Sequence, residues 1–450
     1  MTCNFRNVAR LSQHAFTCRM SAASSIARFD RTHLVPLADW LAVAVALALP
    51  WSTTAVGIGI ALWLVALLPT LEKAAVKREL GTAAGGLPVV LWCLGVIGML
   101  WADVSWQERF AGLNSFHRLL AIPLLLTQFR RSASGMRVVC SFFISSFTVL
   151  IASYAIVVVL GHRWHRVFGV PVHDTIFQGS EFLICGFGAL GYAALAARQK
   201  GAGRWWITIF ATGALFLINF GFATASRIAL VIAPLLLLLL GWRLLRWKGV
   251  LVAVMLTAMA GSAMWFASPV IRDRVVKSIS EMQRYRATDE ATSIGEHAAF
   301  LKESLTIIAS APIIGHGTGS IAEEFRRITA GKTGVSAMPT VNPHNQTFAV
   351  AIQLGLVGGL ALWAMWIAHL ALFSGQGAVA WLGLVIMVEN ILSSTVHSHL
   401  FDFNSGWLYV FAVGVVGGMT LHEHDEAAKA KAGSNECEQL RHRADESRPA

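Results

Sequence analysis

The sequence predicts an all-α, polytopic membrane protein with about twelve transmembrane helices and one large helical loop outside the membrane. Its mean hydropathy is +0.59, and 55% of the 450 residues are hydrophobic whereas only 14% are charged. Soluble domains carry roughly a quarter charged residues. Long apolar runs recur along the chain, most of them near the ~20 residues that cross a bilayer core. The short connections between these runs are alternately basic, which is typical of polytopic membrane proteins.

Twelve apolar runs are candidate spans. They cover residues 36–49, 55–68, 87–101, 118–129, 138–160, 182–197, 205–222, 228–242, 250–266, 347–372, 379–392 and 407–420. The fourth run is the weakest candidate because it is short for a bilayer.

The charges in the connections orient these spans. Lys and Arg cluster after the second, fourth, sixth and eighth runs, on the side that the positive-inside rule assigns to the cytoplasm. The basic N-terminal tail falls on the same side, and an even number of spans puts the C-terminal tail there too. The expected organisation is a cytoplasmic tail over 1–33, nine spans within 34–267, a periplasmic loop domain over 268–343, three spans within 344–421 and a cytoplasmic tail over 422–450.

The large outer loop is expected to be helical. Apolar residues recur at helical spacing through 270–282, and again through 294–308 after an N-cap at Thr292 or Ser293. The following "GHGTGS" lacks the preceding strand and the Lys of a nucleotide-binding loop. We therefore interpret it as a turn before a third helix over 321–328.

Positive charge also accumulates in the outer connections, where the positive-inside rule predicts less of it. An anionic ligand, such as a pyrophosphate or a phosphorylated lipid head group, would account for it. For each individual arginine the alternative is a solvated helix face. Arg227 and Arg118 stand at the outer ends of the eighth and fourth spans. A guanidinium beside lipid is costly unless it is paired or faces a polar cavity, so both are ligand-binding candidates; snorkelling to the interface is the alternative.

Two other titratable groups lie in unusual places. Glu389 lies deep in the eleventh span, where it either holds an arginine in position or is protonated and makes a structural hydrogen bond. His344 stands at the start of the tenth span, where a neutral imidazole would be a general base at neutral pH. An interfacial histidine without a task is the alternative. Asn345 beside it can cap the helix.

No metal site is predicted. His397 and His399 in "HSH" are residues of the type that binds zinc, but only Asp402 lies near them on that connection. The outer connections also lack an Asp-x-Asp or similar carboxylate pair to hold a divalent ion. The six cysteines lie in cytoplasmic tails or within spans, so no external disulfide is expected.

Three motifs resemble the O-antigen ligase family of bacterial envelope glycosyltransferases, which also includes O-antigen polymerases and some protein O-oligosaccharyltransferases. They are "TASRIAL" at 224–230, "APIIGHGTGSI" at 311–321 and "NPHNQTFAVAIQLGLVGGL" at 342–360. The span count, the orientation and the single large outer loop extend the resemblance over nearly the whole chain. One departure is His297, which stands where relatives often have an arginine. Either Arg286 takes that role or the position is not essential.

The resemblance implies a GT-C-like fold and a metal-independent, inverting transfer at the periplasmic face of the bacterial inner membrane. The donor would be O-antigen polysaccharide on undecaprenyl pyrophosphate, and the acceptor a sugar of the lipid A-core. His344 would remove the proton of the acceptor hydroxyl. The candidate substrate-binding residues are Arg227, Arg118 and Arg286 on the pyrophosphate, together with Asn345, Glu389 and His297. Membrane lipids are expected as surroundings, and no cofactor or nucleic-acid partner is expected.

Other activities stay open. Within the family, a polymerase would use another lipid-linked repeat as acceptor, and an oligosaccharyltransferase would use a protein. A transporter or flippase for an anionic lipid would instead favour charges along a central pathway and two comparable halves. Here the charges crowd one face and the two halves differ in loop size, which favours a transferase.

Overall fold

The computed structural model describes residues 31–160, 169–199, 201, 203–224, 226–288 and 290–446. Within these ranges all regular secondary structure is helical, and the predicted all-α membrane fold is confirmed. Most of the predicted N-terminal tail lies outside the described residues, as does part of the connection after the fifth predicted span.

In chain order, the described α-helices are α1 (Arg31–Ala48), α2 (Thr53–Leu67), α3 (Lys73–Leu80), α4 (Ala83–Gly98), α5 (Trp106–His117), α6 (Ala121–Arg131), α7 (Gly135–Ala155), α8 (Thr175–Ala196), α9 (Trp205–Asn219), α10 (Arg227–Leu245), α11 (Trp247–Ala267), α12 (Pro269–Thr288), α13 (Ser293–Ser310), α14 (Ile321–Thr329), α15 (Gln346–Leu372), α16 (Ala378–Ser393) and α17 (Phe403–Glu446).

Nine of the described helices are long and apolar enough to cross a membrane. They are Thr53–Thr70, Trp106–Arg131, Gly135–Val159, Thr175–Ala196, Trp205–Ala223, Arg227–Leu245, Trp247–Ala267, Gln346–Leu372 and Phe403–Asn435. α3 and α4 together are a tenth candidate, bent by 82° between them, and α1 and α16 are apolar but shorter. Each of the twelve predicted runs therefore coincides with a helix, while the count of twelve spans stays a prediction.

The predicted fourth span is the second half of a longer helix. α5 begins at Trp106, inside a segment expected to be a connection, because Ser105 and Glu108 form a capping box in which each side chain binds the other residue's backbone N–H. A 3-10 turn over Arg118–Leu120 joins α5 to α6. The combined helix Trp106–Arg131 is long enough to cross a bilayer. Arg118 consequently lies inside this helix and not at its outer end.

The three helices predicted in the large loop are α12, α13 and α14. Thr292 is the N-cap of α13, since its Oγ1 accepts a 3.1 Å hydrogen bond from the backbone N–H of Gly295. The loop helices pack on the bundle through an apolar cluster that includes Phe300, Phe325 and Ile352. This cluster joins α13 and α14 to α15 and thereby positions the loop over the start of α15.

A break in α15 explains the Gly-rich turn that precedes it. Gly355 inside the helix has φ of 60° and ψ of −154°. Four backbone hydrogen bonds join the turn to the break: His316 N to Ile352 O at 2.9 Å, Gly317 N to Gln353 O at 2.8 Å, Leu356 N to Pro312 O at 2.8 Å and Val357 N to Ile313 O at 3.2 Å. An unsatisfied backbone group in a bilayer costs several kcal/mol, so a broken span needs such partners. The prediction of a turn at "GHGTGS" is confirmed.

We call the end of the bundle that carries residues 268–345 the loop end. At the opposite end, Arg130 bridges Glu79 and Asp425, with ion-pair distances of 3.0 and 2.8 Å, and so joins α3, α6 and α17. Arg131 pairs with Glu72 at 2.7 Å nearby. The basic connections that carry Arg78 and Arg130, which the sequence assigns to one side, thus lie away from the loop end.

Candidate functional site

At the loop end, the start of α15 is hydrogen-bonded to the 394–402 connection between α16 and α17. Three hydrogen bonds join them: Gln346 N to Ser394 O at 2.8 Å, Asn345 Nδ2 to Thr395 O at 3.0 Å and Leu400 N to Gln346 Oε1 at 2.9 Å. Asn345 is also the N-cap of α15, because its Oδ1 accepts a 3.1 Å hydrogen bond from the backbone N–H of Phe348. Asn345 therefore stabilises the start of α15 and also holds the 394–402 connection against it.

Four histidines lie side by side in space, each ring in contact with the next, and we call them the histidine row. They are His297 of α13, His344 before α15, and His397 and His399 of the 394–402 connection. The ring centroids are 4.7 Å apart for the first pair, 5.5 Å for the second and 5.3 Å for the third. Nδ1 of His344 lies 3.3 Å from Nδ1 of His397, within hydrogen-bond reach. The ring of Phe300 stacks on His344 with centroids 6.0 Å apart. His344 is therefore held by aromatic contact and by a neighbouring imidazole.

His344 itself has an unusual backbone conformation, with φ of 53°. Residues other than glycine adopt positive φ uncommonly, and such strain is concentrated at functional sites. The side chain of Asn342 stabilises the turn, since its Oδ1 accepts a 2.9 Å hydrogen bond from the backbone N–H of His344. The Asn-Pro-His-Asn sequence thus forms a tight turn that leads directly into α15.

Burial keeps the histidine row uncharged near neutral pH. Burial, with smaller effects from His297 and His397, lowers the pKa of His344 to about 4. The pKa of His297 is lowered by burial first, and then by the electrostatic effects of His397 and of the Arg227 guanidinium. Burial also lowers the pKa of His397, against the opposing attraction of two nearby aspartates. A neutral imidazole is the protonation state that a general base needs.

Arg227 lies in the first turn of α10, close enough to His297 to lower the pKa of that histidine. Its guanidinium makes a two-point ion pair with Glu281 on α12, with Nη1 to Oε2 at 3.1 Å and Nη2 to Oε1 at 3.3 Å. Its Nε is buried and has no hydrogen-bond partner among the described residues. The ion pair thus fixes a cation beside the row and leaves one donor unused.

Arg118 is bound by the protein and does not join the histidine row. Its side chain is buried, and Nη1 donates to the backbone carbonyls of Asp402 and Phe403, the latter at 3.3 Å. The guanidinium also lies over the Phe403 ring, 5.9 Å from its centroid. Because these carbonyls end the 394–402 connection, Arg118 anchors the segment that carries His397. This geometry places Arg118 at the end of the 394–402 connection, away from the histidine row.

His297 stands where relatives often have an arginine, and Arg286 is the residue that could take over its role. The two lie in different environments. His297 contacts His344 directly, as a member of the row. Arg286 is exposed on α12 and makes no hydrogen bond or ion pair with the described residues. Arg286 can therefore bind an anion without first breaking an internal contact, whereas His297 acts beside the imidazole.

Glu389 is buried in α16, and its described partners are hydroxyl groups. Oε1 accepts a 2.6 Å hydrogen bond from Ser393, and Ser180 of α8 is its second partner. Of the two roles left open by the sequence, a structural hydrogen bond is the one that these contacts support. Glu389 also lines a cavity of about 10 Å³ together with Asn390 and His399, so the inner end of the row meets a small cavity within the bundle.

The arrangement offers two chemical groups at the loop end. His344 is a neutral base, and Arg227 is a cation whose two Nη atoms are bound by Glu281 and whose Nε has no partner among the described residues. The described residues contain no group of three or more His, Cys, Asp and Glu side chains placed to hold a metal ion. A base and a cation in one place suit proton removal from a nucleophile coupled to the departure of an anion.

A comparison with family models adds to this geometry. Residues 212–364 match the model for O-antigen ligase. The match covers about a third of the 450 residues, and it includes Arg227, His297 and His344 but neither Arg118 nor His397. It supports the superfamily of O-antigen ligases and polymerases, and together with the apolar helices it indicates a multi-pass membrane protein. No curated protein matches the chain.

Two contacts of the site are not apparent in the sequence. Glu281 lies 54 residues from Arg227, and helical periodicity gives no information about such a partner. The "HSH" pattern raises only the question of a metal, whereas the structure places His397 beside His344. In both cases the contact depends on how separate helices pack.

Proposed function

We propose that this protein is an O-antigen ligase, which transfers polysaccharide from undecaprenyl pyrophosphate to a sugar of the lipid A-core. The observation that carries the proposal is the placement of a neutral His344 against His297, which in turn lies beside the cationic Arg227. The match of residues 212–364 to the O-antigen ligase model supports the same activity.

In the proposed reaction His344 is the general base. Its Nε2 takes the proton of the acceptor hydroxyl while the hydroxyl oxygen forms a bond to the anomeric carbon of the donor sugar. The bond from that carbon to the phosphate oxygen breaks, and the pyrophosphate leaves with the bonding electrons. Attack from the face opposite the leaving group inverts the anomeric configuration. The low pKa of His344, about 4, then allows the imidazolium to release its proton to water.

Arg227 is proposed to bind the departing pyrophosphate. Its guanidinium fork binds the two carboxylate oxygens of Glu281 and would exchange them for two phosphate oxygens when the donor binds, because the fork fits either group. Positive charge placed where negative charge develops lowers the barrier to departure. In this proposal the arginine stabilises the negative charge on the departing pyrophosphate, as a divalent ion does in many enzymes that act on phosphates. The reaction then needs no metal and no cofactor. Arg286 is a second candidate contact, while Arg118 acts only by anchoring the 394–402 connection.

We further propose that the loop end faces the periplasm from a bacterial inner membrane, with both termini in the cytoplasm. The basic residues at the opposite end, among them Arg130 and Arg131, support this orientation. A site at the membrane surface also suits the substrates, since donor and acceptor are both lipid-linked. The resemblance of the motifs to glycosyltransferases extends the proposal to a GT-C-like fold.

Deletion of the gene and gel analysis of lipopolysaccharide test the proposed activity. Loss of a ligase leaves a complete core without long chains, and an intact plasmid copy restores the chains. A single repeat unit on the core would assign the protein as a polymerase. Normal lipopolysaccharide with an altered glycoprotein would assign it as a protein oligosaccharyltransferase.

A transporter or flippase is the more distant alternative, and a purified system separates it from the transferase. Protein in detergent, supplied with lipid-linked donor and core acceptor, should form the joined product. A flippase has no product to form in detergent, because it changes only the leaflet of its substrate.

A further inference from the structure

His344 and His397 face each other through the same ring atom. Their Nδ1 atoms are 3.3 Å apart, so a hydrogen bond between them needs a proton on one Nδ1 and a lone pair on the other. With the proton on Nδ1 of His344, its Nε2 has a lone pair and is a base. With the proton on Nδ1 of His397, Nε2 of neutral His344 carries a proton and cannot accept one. The direction of this hydrogen bond therefore decides whether Nε2 of His344 can act as a base.

We propose that His397 is a positioning residue: its Nδ1 accepts the Nδ1–H of His344 and so keeps Nε2 of His344 unprotonated and available to the acceptor hydroxyl. This inference rests on the proposed function and deepens it. It extends to this site the general rule that a base is held in the correct tautomer by a third group on its other nitrogen.

The 394–402 connection holds His397 at a fixed distance from His344. Hydrogen bonds from Asn345 and Gln346 tie the connection to the residues that follow His344. At its far end Arg118 binds the last carbonyls, and this guanidinium is buried. Both ends of the segment are thus attached to helices of the bundle. Such rigid support is what a positioning residue needs, because a base must be held within a fraction of an ångström.

A neutral partner suits the low basicity of His344. A carboxylate in the position of His397 would stabilise the imidazolium and raise the pKa of His344, whereas an imidazole acceptor fixes the ring without adding a negative charge. His297 and Phe300 pack on the same ring and restrict it further. The pair therefore combines a defined orientation with an imidazolium that releases its proton readily.

The proposal adds no proton transfer to the reaction. The hydroxyl proton goes to Nε2 of His344 as the new C–O bond forms, and the bond to the phosphate oxygen breaks with its electron pair leaving on the pyrophosphate. The Nδ1–H of His344 stays in the hydrogen bond to His397 throughout. His397 neither touches the substrate nor changes its own protonation state.

A comparison of two amides at position 397 tests this role. The side-chain oxygen of Asn lies near the position of Nδ1, whereas that of Gln reaches toward the position of Nε2. In purified, lipid-linked transfer assays we expect His397→Asn to retain kcat within about threefold of wild type. We expect His397→Gln and His397→Leu to lose about 100-fold in kcat, the range of a general base, with the KM for donor unchanged.

The controls separate this role from folding and from the proposed function. His422→Gln, at the opposite end where Nδ1 contacts the carbonyl of Arg130 at 3.0 Å, should leave kcat unchanged. If the leucine variant does not fold, the Asn and Gln pair alone decides. Equal kcat in the Asn and Gln variants, or a raised donor KM with unchanged kcat, overturns the positioning role. Absence of transfer by the wild-type protein contradicts the proposed function instead.

Discussion

Nδ1 of His344 lies 3.3 Å from Nδ1 of His397, although 53 residues of chain separate the two side chains. The intervening chain is the helical hairpin of α15 and α16, which are both apolar. The contact therefore depends on the packing of two apolar helices and not on local sequence. A site built in this way is preorganised by the bundle, and its residues lose their geometry only when the bundle is disturbed.

Replacement of Arg227 by lysine tests whether a two-point donor is required there. Lysine keeps the charge but cannot reproduce the fork that Arg227 makes with Glu281 or would make with a phosphate. We expect Arg227→Lys to lower kcat/KM for the donor by at least about tenfold, a loss of about 1.4 kcal/mol in transition-state stabilisation. Arg284→Lys is the matched control, because Arg284 makes an exposed ion pair with Glu290 and should be near wild type. Equal activity in the two variants would remove Arg227 from the site.

Arg118 should matter for stability more than for donor binding. Arg118→Leu removes the donor to two backbone carbonyls, and we expect a loss of about 2–4 kcal/mol in the free energy of unfolding. Thermal melting in detergent measures this loss. The exposed Arg286 supplies the control, since Arg286→Leu should change stability by less than about 0.5 kcal/mol. A normal melting temperature for Arg118→Leu together with a raised donor KM would restore Arg118 to pyrophosphate binding.

Replacement by alanine is expected to have opposite effects on stability at two glycines of α15. At Gly355, with φ of 60°, an added Cβ would lie 2.3 Å from the carbonyl carbon of Ile313. Gly355→Ala should therefore destabilise the protein by about 1–3 kcal/mol and weaken the docking of the Gly-rich turn. At Gly359 a Cβ meets none of the described residues within 4 Å, so Gly359→Ala should be neutral or slightly stabilising. Melting of both variants in one detergent tests the pair, and equal effects would contradict the docking of the turn at Gly355.

The pH dependence of transfer follows from the burial of His344. Burial lowers its pKa to about 4, so the base stays unprotonated as the pH falls below 7 and is lost only in the region of pH 4. We expect kcat/KM at pH 5.5 to stay close to its value at pH 7. An unperturbed histidine, with a pKa of about 6.5, would be roughly 90% protonated at pH 5.5. A loss of activity centred near pH 6.5 would therefore place the base in a solvated environment, against the structure.

Local signals in the sequence predict the helices well. Hydropathy identifies the apolar runs, and helical spacing with the cap at Thr292 identifies α13. The break in α15 is different, because the glycines at 355, 358 and 359 suggest only close helix packing. The structure shows instead that Gly355 adopts a backbone conformation favoured by glycine, while Gly359 faces open space among the described residues. A single sequence does not distinguish these uses of glycine.

The hydrogen-bond and ion-pair partners of charged groups also could not be predicted from the sequence. The position of Arg118 at the start of an apolar run suggests a ligand at the membrane surface, but its guanidinium binds backbone carbonyls of a segment far along the chain. Among the described residues, Glu389 binds hydroxyl groups and not an arginine. His344 could be singled out because its residue type and its place at a helix start point to a base. Its relation to His397 required the packed structure.

The central claim is that the imidazole of His344 removes the acceptor proton in a transfer that needs no metal. The measurement that tests it most directly is product formation by purified protein from lipid-linked donor and core acceptor in excess chelator, with wild type beside His344→Asn. Asparagine tolerates positive φ and so preserves the turn while removing the base. The account predicts full transfer by wild type with an inverted anomeric centre, and a loss of at least about 100-fold in kcat for the variant. Transfer that stops in chelator and returns with a divalent ion, or that persists in His344→Asn, would contradict it.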